Sequence, residues 1–180
     1  AITPQTKAIV PVHVFGNSCE VEAIGEIAKE HNLKVIYDAA HAFGVNYKGK
    51  SLLKCGDASI LSFHATKLFH TIEGGAIVFK NRRVLEKARK MMSFAITGPD
   101  RIEGLGINAK MNEFQAAMGL CVLDNIESIK RNRKRITEEY EKNLGELFIK
   151  QKICNHILYN YAYYPIVLRS YDEVTNVVEE

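Results

Sequence analysis

Four side chains of unlike chemistry gather at the ends of two apolar runs. Asp38 and His41 follow Lys34-Val35-Ile36-Tyr37, while Ser62 and Lys67 lie at the end of Ala58-Ser59-Ile60-Leu61-Ser62-Phe63 and in the loop behind it. A primary amine attacks carbonyls only when uncharged, and a mostly apolar loop such as Phe63-His64-Ala65-Thr66-Lys67-Leu68-Phe69 favours the neutral form. An aldehyde is the natural partner of such an amine. Pyridoxal phosphate asks a protein for an amine that condenses with its aldehyde, an acid that keeps its pyridine nitrogen protonated, and donors for its phosphate. Lys67, Asp38 and Ser62 supply one of each. The same three residues also admit a plain reading, with Asp38 capping a helix, Lys67 on the surface and Ser62 merely in a strand, and spacing alone does not choose.

The elements that would hold these groups have to bring two strand ends together. Lys7 to Val14 is a β-branched run closed by Gly16-Asn17, hence a strand and a turn, with Pro11 placing it near an edge or at an irregularity. Ser18 is the expected cap of the next helix. Glu20 and Glu22 would occupy its first turn, Val21, Ile24, Ile27 and Ala28 its apolar face, and His31-Asn32 its end. A second strand follows at once, so strand, helix and strand make a βαβ unit and imply a parallel sheet with a right-handed crossover. In such sheets ligands collect outside the carboxyl ends of the strands, where Asp38 and Ser62 fall. The runs Ala58 to Phe63 and Gly75 to Phe79 are too continuous for strands with one wet face and suit a sheet covered by helices. Asn81 to Met92 reads as a helix. A long helical arm starts at Met111, with a bend expected near Asp124-Asn125, and Tyr161 to Leu168 reads as a strand beyond it.

Composition excludes much and names nothing. The chain has 180 residues, 47% hydrophobic and 25% charged, which is enough for a sizeable core and argues against disorder. Twenty-four Lys+Arg against 21 Asp+Glu leave a net charge of +3, too weak to imply nucleic acid or an anionic membrane as partner. No apolar run approaches the roughly 18 to 20 residues of a membrane helix, and the start lacks a signal-peptide stretch, so a cytoplasmic protein is expected. Cys19, Cys55, Cys121 and Cys154 form no C-x-x-C pair and read as plain thiols. The first residue is not Met and the last stretch stops mid-pattern, which suggests a piece of a longer polypeptide.

From Ile2 to about Leu168 the chain resembles the DegT/StrS family of pyridoxal-phosphate-dependent sugar aminotransferases. The resemblance rests on Val12-His13-Val14-Phe15-Gly16, Asp38-Ala39-Ala40-His41-Ala42-Phe43-Gly44, Ser62-Phe63-His64-Ala65-Thr66-Lys67, Glu73-Gly74-Gly75-Ala76-Ile77 and the run from Gly106 to Ala117, all in the family's order. It implies an α/β protein of fold type I, with a three-layer α/β/α large domain on a mainly parallel sheet and the start of a small α+β C-terminal domain. The division expected is 1–125 for the large domain and 126–180 for the linking helix and the truncated small one. It also implies that Lys67 is the Schiff-base lysine and moves the proton during transamination, that Asp38 pairs with the pyridine nitrogen, and that His41 lies near the ring hydroxyl. Ser62 would bind the phosphate. Asn108, with Lys110 a weaker candidate, would reach the phosphate in a neighbouring subunit, which requires a homodimer with a shared site.

Lysine at position 67 favours amino transfer, because relatives with histidine there perform dehydration. The implied reaction takes an amino group from an amino acid, L-glutamate by expectation, to a keto group on a nucleotide-linked sugar, for surface polysaccharide, lipopolysaccharide or other amino sugars. The family's N-terminal portion and most of its small domain lie outside these residues, so the piece by itself is expected to be inactive. A noncatalytic or regulatory relative and a sugar dehydratase are the alternatives. Nucleic-acid binding through Lys130, Arg131, Arg133, Lys134 and Arg135 is a weaker one, since Glu138 and Glu139 follow at the i,i+4 spacing of a solvated helix face. No metal site is expected. His64 suits a local hydrogen bond, a tuning role on Lys67 or contact with substrate, and Glu73-Gly74-Gly75 suits a tight turn or a place near the active site.

Overall fold

The structure is a computed structural model that describes residues 1–144 and 148–179. Strand β1 is only Ala8–Ile9. The β-branched run continues to Val14, but Pro11 has no N–H for a ladder, so pairing beyond it is reduced to an isolated bridge between Val12 and Asp38. There the Asp38 N–H donates to the Pro11 carbonyl at 2.9 Å and the His13 N–H donates to the Asp38 carbonyl at 3.0 Å. A single 3-10 turn, Val14–Gly16, leads to helix α1, Val21–Glu30. Ser18 does not cap it. The cap position is Glu20, without a side-chain cap, and the Ser18 hydroxyl donates instead to the carbonyl of Cys19 at 2.7 Å. The helix ends as expected at His31, and Asn32 turns the chain at φ 52°. Its apolar face is narrower than the pattern suggests. Ala28 joins Leu33, Val35 and Tyr37 in a buried cluster with Val21 and Ile24 against it, while Ile27 is exposed.

Strand β2, Lys34–Asp38, runs parallel to β1 and completes the βαβ unit. A small hairpin, β3 Asn46–Tyr47 and β4 Lys50–Ser51, precedes β5, Ala58–Ser62, which is parallel to β2. Strand β6, Gly75–Phe79, is antiparallel to β5, giving the sheet order β1-β2-β5-β6 with β1 at an edge. Val35, Tyr37 and Leu61 point to one face, where α1 and a second cluster of Ala39, Ala42, Val45 and Leu52 bury them. The opposite face is open within this chain: Ile60 is 42% exposed and Ile77 49%. Cover by helices, expected on both faces, is present here on one.

Helix α2, Arg82–Met92, is capped by Asn81, whose Oδ1 accepts from the N–H groups of Arg83 at 2.9 Å and Val84 at 3.4 Å. A hairpin follows, β7 Ile96–Gly98 and β8 Arg101–Ile102. Helix α3 then runs unbroken for 32 residues, Glu113–Leu144. No break falls near Asp124-Asn125, where a bend is expected: the helix is continuous through these residues, and the Asn125 side-chain amide donates to the Cys121 carbonyl one turn back at 2.9 Å, sharing that acceptor with the helix ladder. After α3 come β9 Ile149–Lys150, β10 Ile157–Leu158, β11 Ile166–Val167 and α4 Tyr171–Glu179. Strand β10 pairs with β3, so the late chain returns to the first unit. The strand expected over Tyr161 to Leu168 shrinks to β11. Residues 159–164 are irregular, with Tyr161 at φ 55°, and they pack on the turn that follows Asp38.

Candidate functional site

Strand register explains why the chemistry meets at one edge. Asp38 ends β2 opposite Ile60 of β5, and Ser62 is two residues further on, so the two polar side chains share a face with Ile60 between them. The Asp38 carboxylate is held by its own turn, where Oδ1 accepts the Ala40 N–H at 3.0 Å. Both Asp38 and Ser62 are half-buried.

Lys67 is delivered by the loop between β5 and β6. Phe63 pins the base of that loop twice: its N–H donates to the Gly74 carbonyl at 2.9 Å and its carbonyl accepts the Thr71 N–H at 3.0 Å. Buried Thr71 donates its hydroxyl to the Glu73 carbonyl at 2.7 Å, and Gly119 of α3 lies so near that a Cβ there would stand 2.9 Å from the Thr71 methyl. The Lys67 N–H donates to the His64 carbonyl at 2.9 Å. Immediately after the lysine, Leu68 and Phe69 are buried, with the Phe69 ring stacked on Phe43 at 4.4 Å and edge-on to Phe63 at 4.8 Å. The loop is less enclosed than its composition suggests, since His64, Ala65 and Thr66 are exposed while Lys67 is half-buried.

His41 connects the two strand ends electrostatically. Burial holds its pKa below the ordinary histidine value, the Lys67 charge pushes the same way, and the Asp38 carboxylate opposes them. Its Nδ1 accepts the Phe15 N–H at 3.1 Å, so the neutral ring carries its hydrogen on Nε2. Carboxylate, imidazole, amine and hydroxyl thus converge on the carboxyl ends of β2 and β5. The donor set matches what pyridoxal phosphate requires: an amine for the aldehyde, an acid for the pyridine nitrogen and a hydroxyl for the phosphate.

The other candidates divide. His64 is engaged locally, its Nδ1 2.8 Å from the Thr66 hydroxyl and its Nε2 3.7 Å from the Glu73 carboxylate, which brings Glu73 back to the lysine loop. Asn108 has no hydrogen bond to Asp38, His41, Ser62 or Lys67 among the described residues. It is exposed on a loop docked to the end of α2, in an isolated bridge with Ser93, while Lys110 lies over the Phe94 ring at 4.3 Å. The basic stretch of α3 is a paired surface: Lys130 meets Glu127 at 3.2 Å, Lys134 meets Glu138 at 3.7 Å, and Arg133 donates to the Ala162 carbonyl at 3.0 Å.

Two functional-looking residues escape pattern reading. His13 is 1% exposed, stacks on Tyr37 with ring centres 4.5 Å apart, and accepts the Cys19 N–H on Nδ1 at 3.1 Å. Burial lowers its pKa to about 4 against the pull of Asp38. Asn160 is fully buried beside His41. The signal for His13 was its place between Pro11 and Gly16 in the first matching motif; Asn160 carried none.

The sheet, its helical cover and this edge define a partial large domain of the fold-type-I pyridoxal-phosphate enzymes, and solved structures agree. DesI, determined in the presence of its TDP-sugar product, superposes with a TM-score of 0.90 at 33% identity over 99% of this chain and 48% of its own. PseC of Helicobacter pylori, an aminotransferase involved in the biosynthesis of pseudoaminic acid, gives 0.88 at 29% identity over 98% of this chain and 49% of its own. Residues 1–179 match the DegT/DnrJ/EryC1/StrS aminotransferase family, and the chain belongs to it. A dTDP-4-amino-4,6-dideoxy-D-glucose transaminase of Shigella dysenteriae is 44% identical over 177 residues, 94% of this chain and 47% of that protein. A UDP-4-amino-4,6-dideoxy-N-acetyl-beta-L-altrosamine transaminase of Helicobacter pylori is 32% identical, covering 93% of this chain and 46% of its own. The chain therefore spans about half the length of the curated relatives it matches. Among the described residues no helix is long and apolar enough to cross a membrane.

Proposed function

We propose that the protein containing this chain is a pyridoxal-phosphate-dependent aminotransferase that moves an amino group from an amino acid, L-glutamate, to the keto group of a nucleotide-linked sugar in polysaccharide or amino-sugar synthesis. The observation that carries this is the meeting of Asp38, Ser62, His41 and Lys67 at one sheet edge. The sugar-transaminase names of the relatives supply the substrate class. In this reading 1–125 is the late part of the large domain and 126–180 the linking helix and start of the small one, and the enzyme works in the cytoplasm.

When bound, the cofactor supplies an electron sink for the bond broken at the substrate's α-carbon. The chain's own residues do the rest. Lys67 would hold the cofactor through Nζ and would serve as the base that carries the proton at that carbon. Asp38 holds the proton on the pyridine nitrogen, which keeps the sink cationic. Ser62 donates its hydroxyl to the phosphate, and His41 presents Nε2–H to the ring hydroxyl. Asn108 reaches the phosphate of the neighbouring subunit. Its segment suits that role: Leu105, Ile107 and Phe114 around it are 86%, 65% and 87% exposed, an apolar stretch fit to be covered by a second copy.

Borohydride reduction of the cofactor-loaded full-length protein, followed by peptide mapping, tests the assignment. Label on Lys67 supports it, and turnover of keto-sugar nucleotides with L-glutamate completes it. Label elsewhere or nowhere in the intact protein overturns it.

A further inference from the structure

His41 is gripped by a part of the chain far from it in sequence. The Asn160 side chain is fully buried, and its Nδ2 donates to the carbonyls of His41 and Phe43, each at 2.9 Å, while its Oδ1 accepts the Ala162 N–H at 3.1 Å. Both amide hydrogens and the amide oxygen are therefore used. Next to it, the Tyr159 hydroxyl donates to the Phe15 carbonyl at 2.6 Å, and the Tyr163 ring lies 4.5 Å from the His41 ring and 5.4 Å from that of Phe15. Phe15 is the residue whose N–H occupies His41 Nδ1. The turn leaves no slack: Phe15 sits at φ 54°, and a Cβ on Gly16 would stand 2.7 Å from the His41 carbonyl and 2.9 Å from Asn160 Oδ1. Segment 159–163 thus closes a ring of contacts around one imidazole.

We propose that Asn160 is a positioning residue for His41: by tying down the His41 and Phe43 carbonyls it keeps the ring against the Phe15 N–H, so that Nε2–H is the donor offered to the cofactor. This rests on the reading of the site as a pyridoxal-phosphate centre. It adds that a residue beyond α3 sets the tautomer of a group at the carboxyl ends of β2 and β5. An asparagine is required because only an amide can donate to two carbonyls and accept from a third group in one plane. A carboxylate of the same shape would face both carbonyls with acceptors alone.

The test uses the full-length protein with 15N-labelled histidine, comparing wild type with Asn160→Asp, Asn160→Ala and the milder Tyr159→Phe. In protein free of cofactor the wild-type His41 nitrogens report the Nε2–H tautomer. Asn160 variants are expected to show a mixture of tautomers and a rise of the His41 titration toward the ordinary histidine range, with Tyr159→Phe moving both less. In the loaded protein, the pH titration of the cofactor absorbance shifts in Asn160→Ala but moves no further when the same change is made in a His41→Gln background. A lower melting temperature with an unchanged His41 tautomer and titration overturns the proposal, as does full additivity of the two substitutions. If Asn160 variants do not fold, an unchanged His41 in Tyr159→Phe counts against it. A wild type that takes up no cofactor defeats the functional reading, and the imidazole measurement still decides the role of Asn160.

Discussion

Removing the Lys67 amine tests the chemistry with the least structural disturbance, because its neighbours are anchored without it: Leu68 and Phe69 are buried and the loop base is closed through Phe63. Lys67→Ala should fold, hold the cofactor only reversibly, and lose amino transfer by several orders of magnitude, read by dialysis of the loaded protein and by single-turnover rates. His13 makes a different prediction. It is buried neutral, with its pKa lowered from the ordinary 6.5 to about 4. Between those values the unfolded chain binds a proton that the folded chain refuses, so the folded state is favoured above about pH 6.5 and loses stability as pH falls toward 4. The loss is at most roughly 3 kcal/mol, and denaturant titrations at pH 7 and pH 5 should show part of it, reduced in His13→Gln. Equal pH dependence in that variant would remove His13 as the source.

Elements were legible where one residue decides them and illegible where a distant partner does. Pro11 signalled an edge or an irregularity, and the β1 ladder stops ahead of it, leaving an isolated bridge at Val12; Asn81 and His31-Asn32 bracketed helices whose ends match. Asp38 and Ser62 could be placed at strand ends because the apolar runs stop there. Ser18 failed as a cap since its hydroxyl found the neighbouring carbonyl of Cys19, a choice among near-equal local bonds. The direction of β6 was hidden for another reason: an apolar run reads alike whether it pairs parallel or antiparallel. Tyr161 to Leu168 has strand composition, yet Asn160, Arg133 and the ring of Tyr163 draw most of it out of any ladder. The turn at Gly16 gives this scale its prediction. With φ at +82° and the His41 carbonyl 2.7 Å from where a Cβ would sit, Gly16→Ala should cost about 1–3 kcal/mol of stability and disturb His41, whereas Gly44→Ala, strained in φ but open in space, should cost only about 1 kcal/mol. Thermal melts of the two variants check the difference.

At the scale of the whole molecule, the position of Asn108 is the strongest reason to think in pairs of chains. It lies on an exposed loop among exposed apolar residues, bridged to Ser93 and, among the described residues, with no hydrogen bond to Asp38, His41, Ser62 or Lys67. If it completes the site of a second copy, each subunit of a two-fold dimer lends one residue and borrows another. Subunits carrying Lys67→Ala and subunits carrying Asn108→Asp are then each inactive as homodimers, the second because a carboxylate faces the phosphate. Unfolded together and refolded at equal amounts, half of the dimers are mixed. Every mixed dimer has one site that joins an intact Lys67 to an intact Asn108, and one site that has lost both. Activity should return to roughly a quarter of the wild-type level. If Asn108 serves its own subunit, no mixed dimer contains an intact site and the refolded mixture stays as inactive as its parents, so a single rate measurement separates a shared site from two private ones.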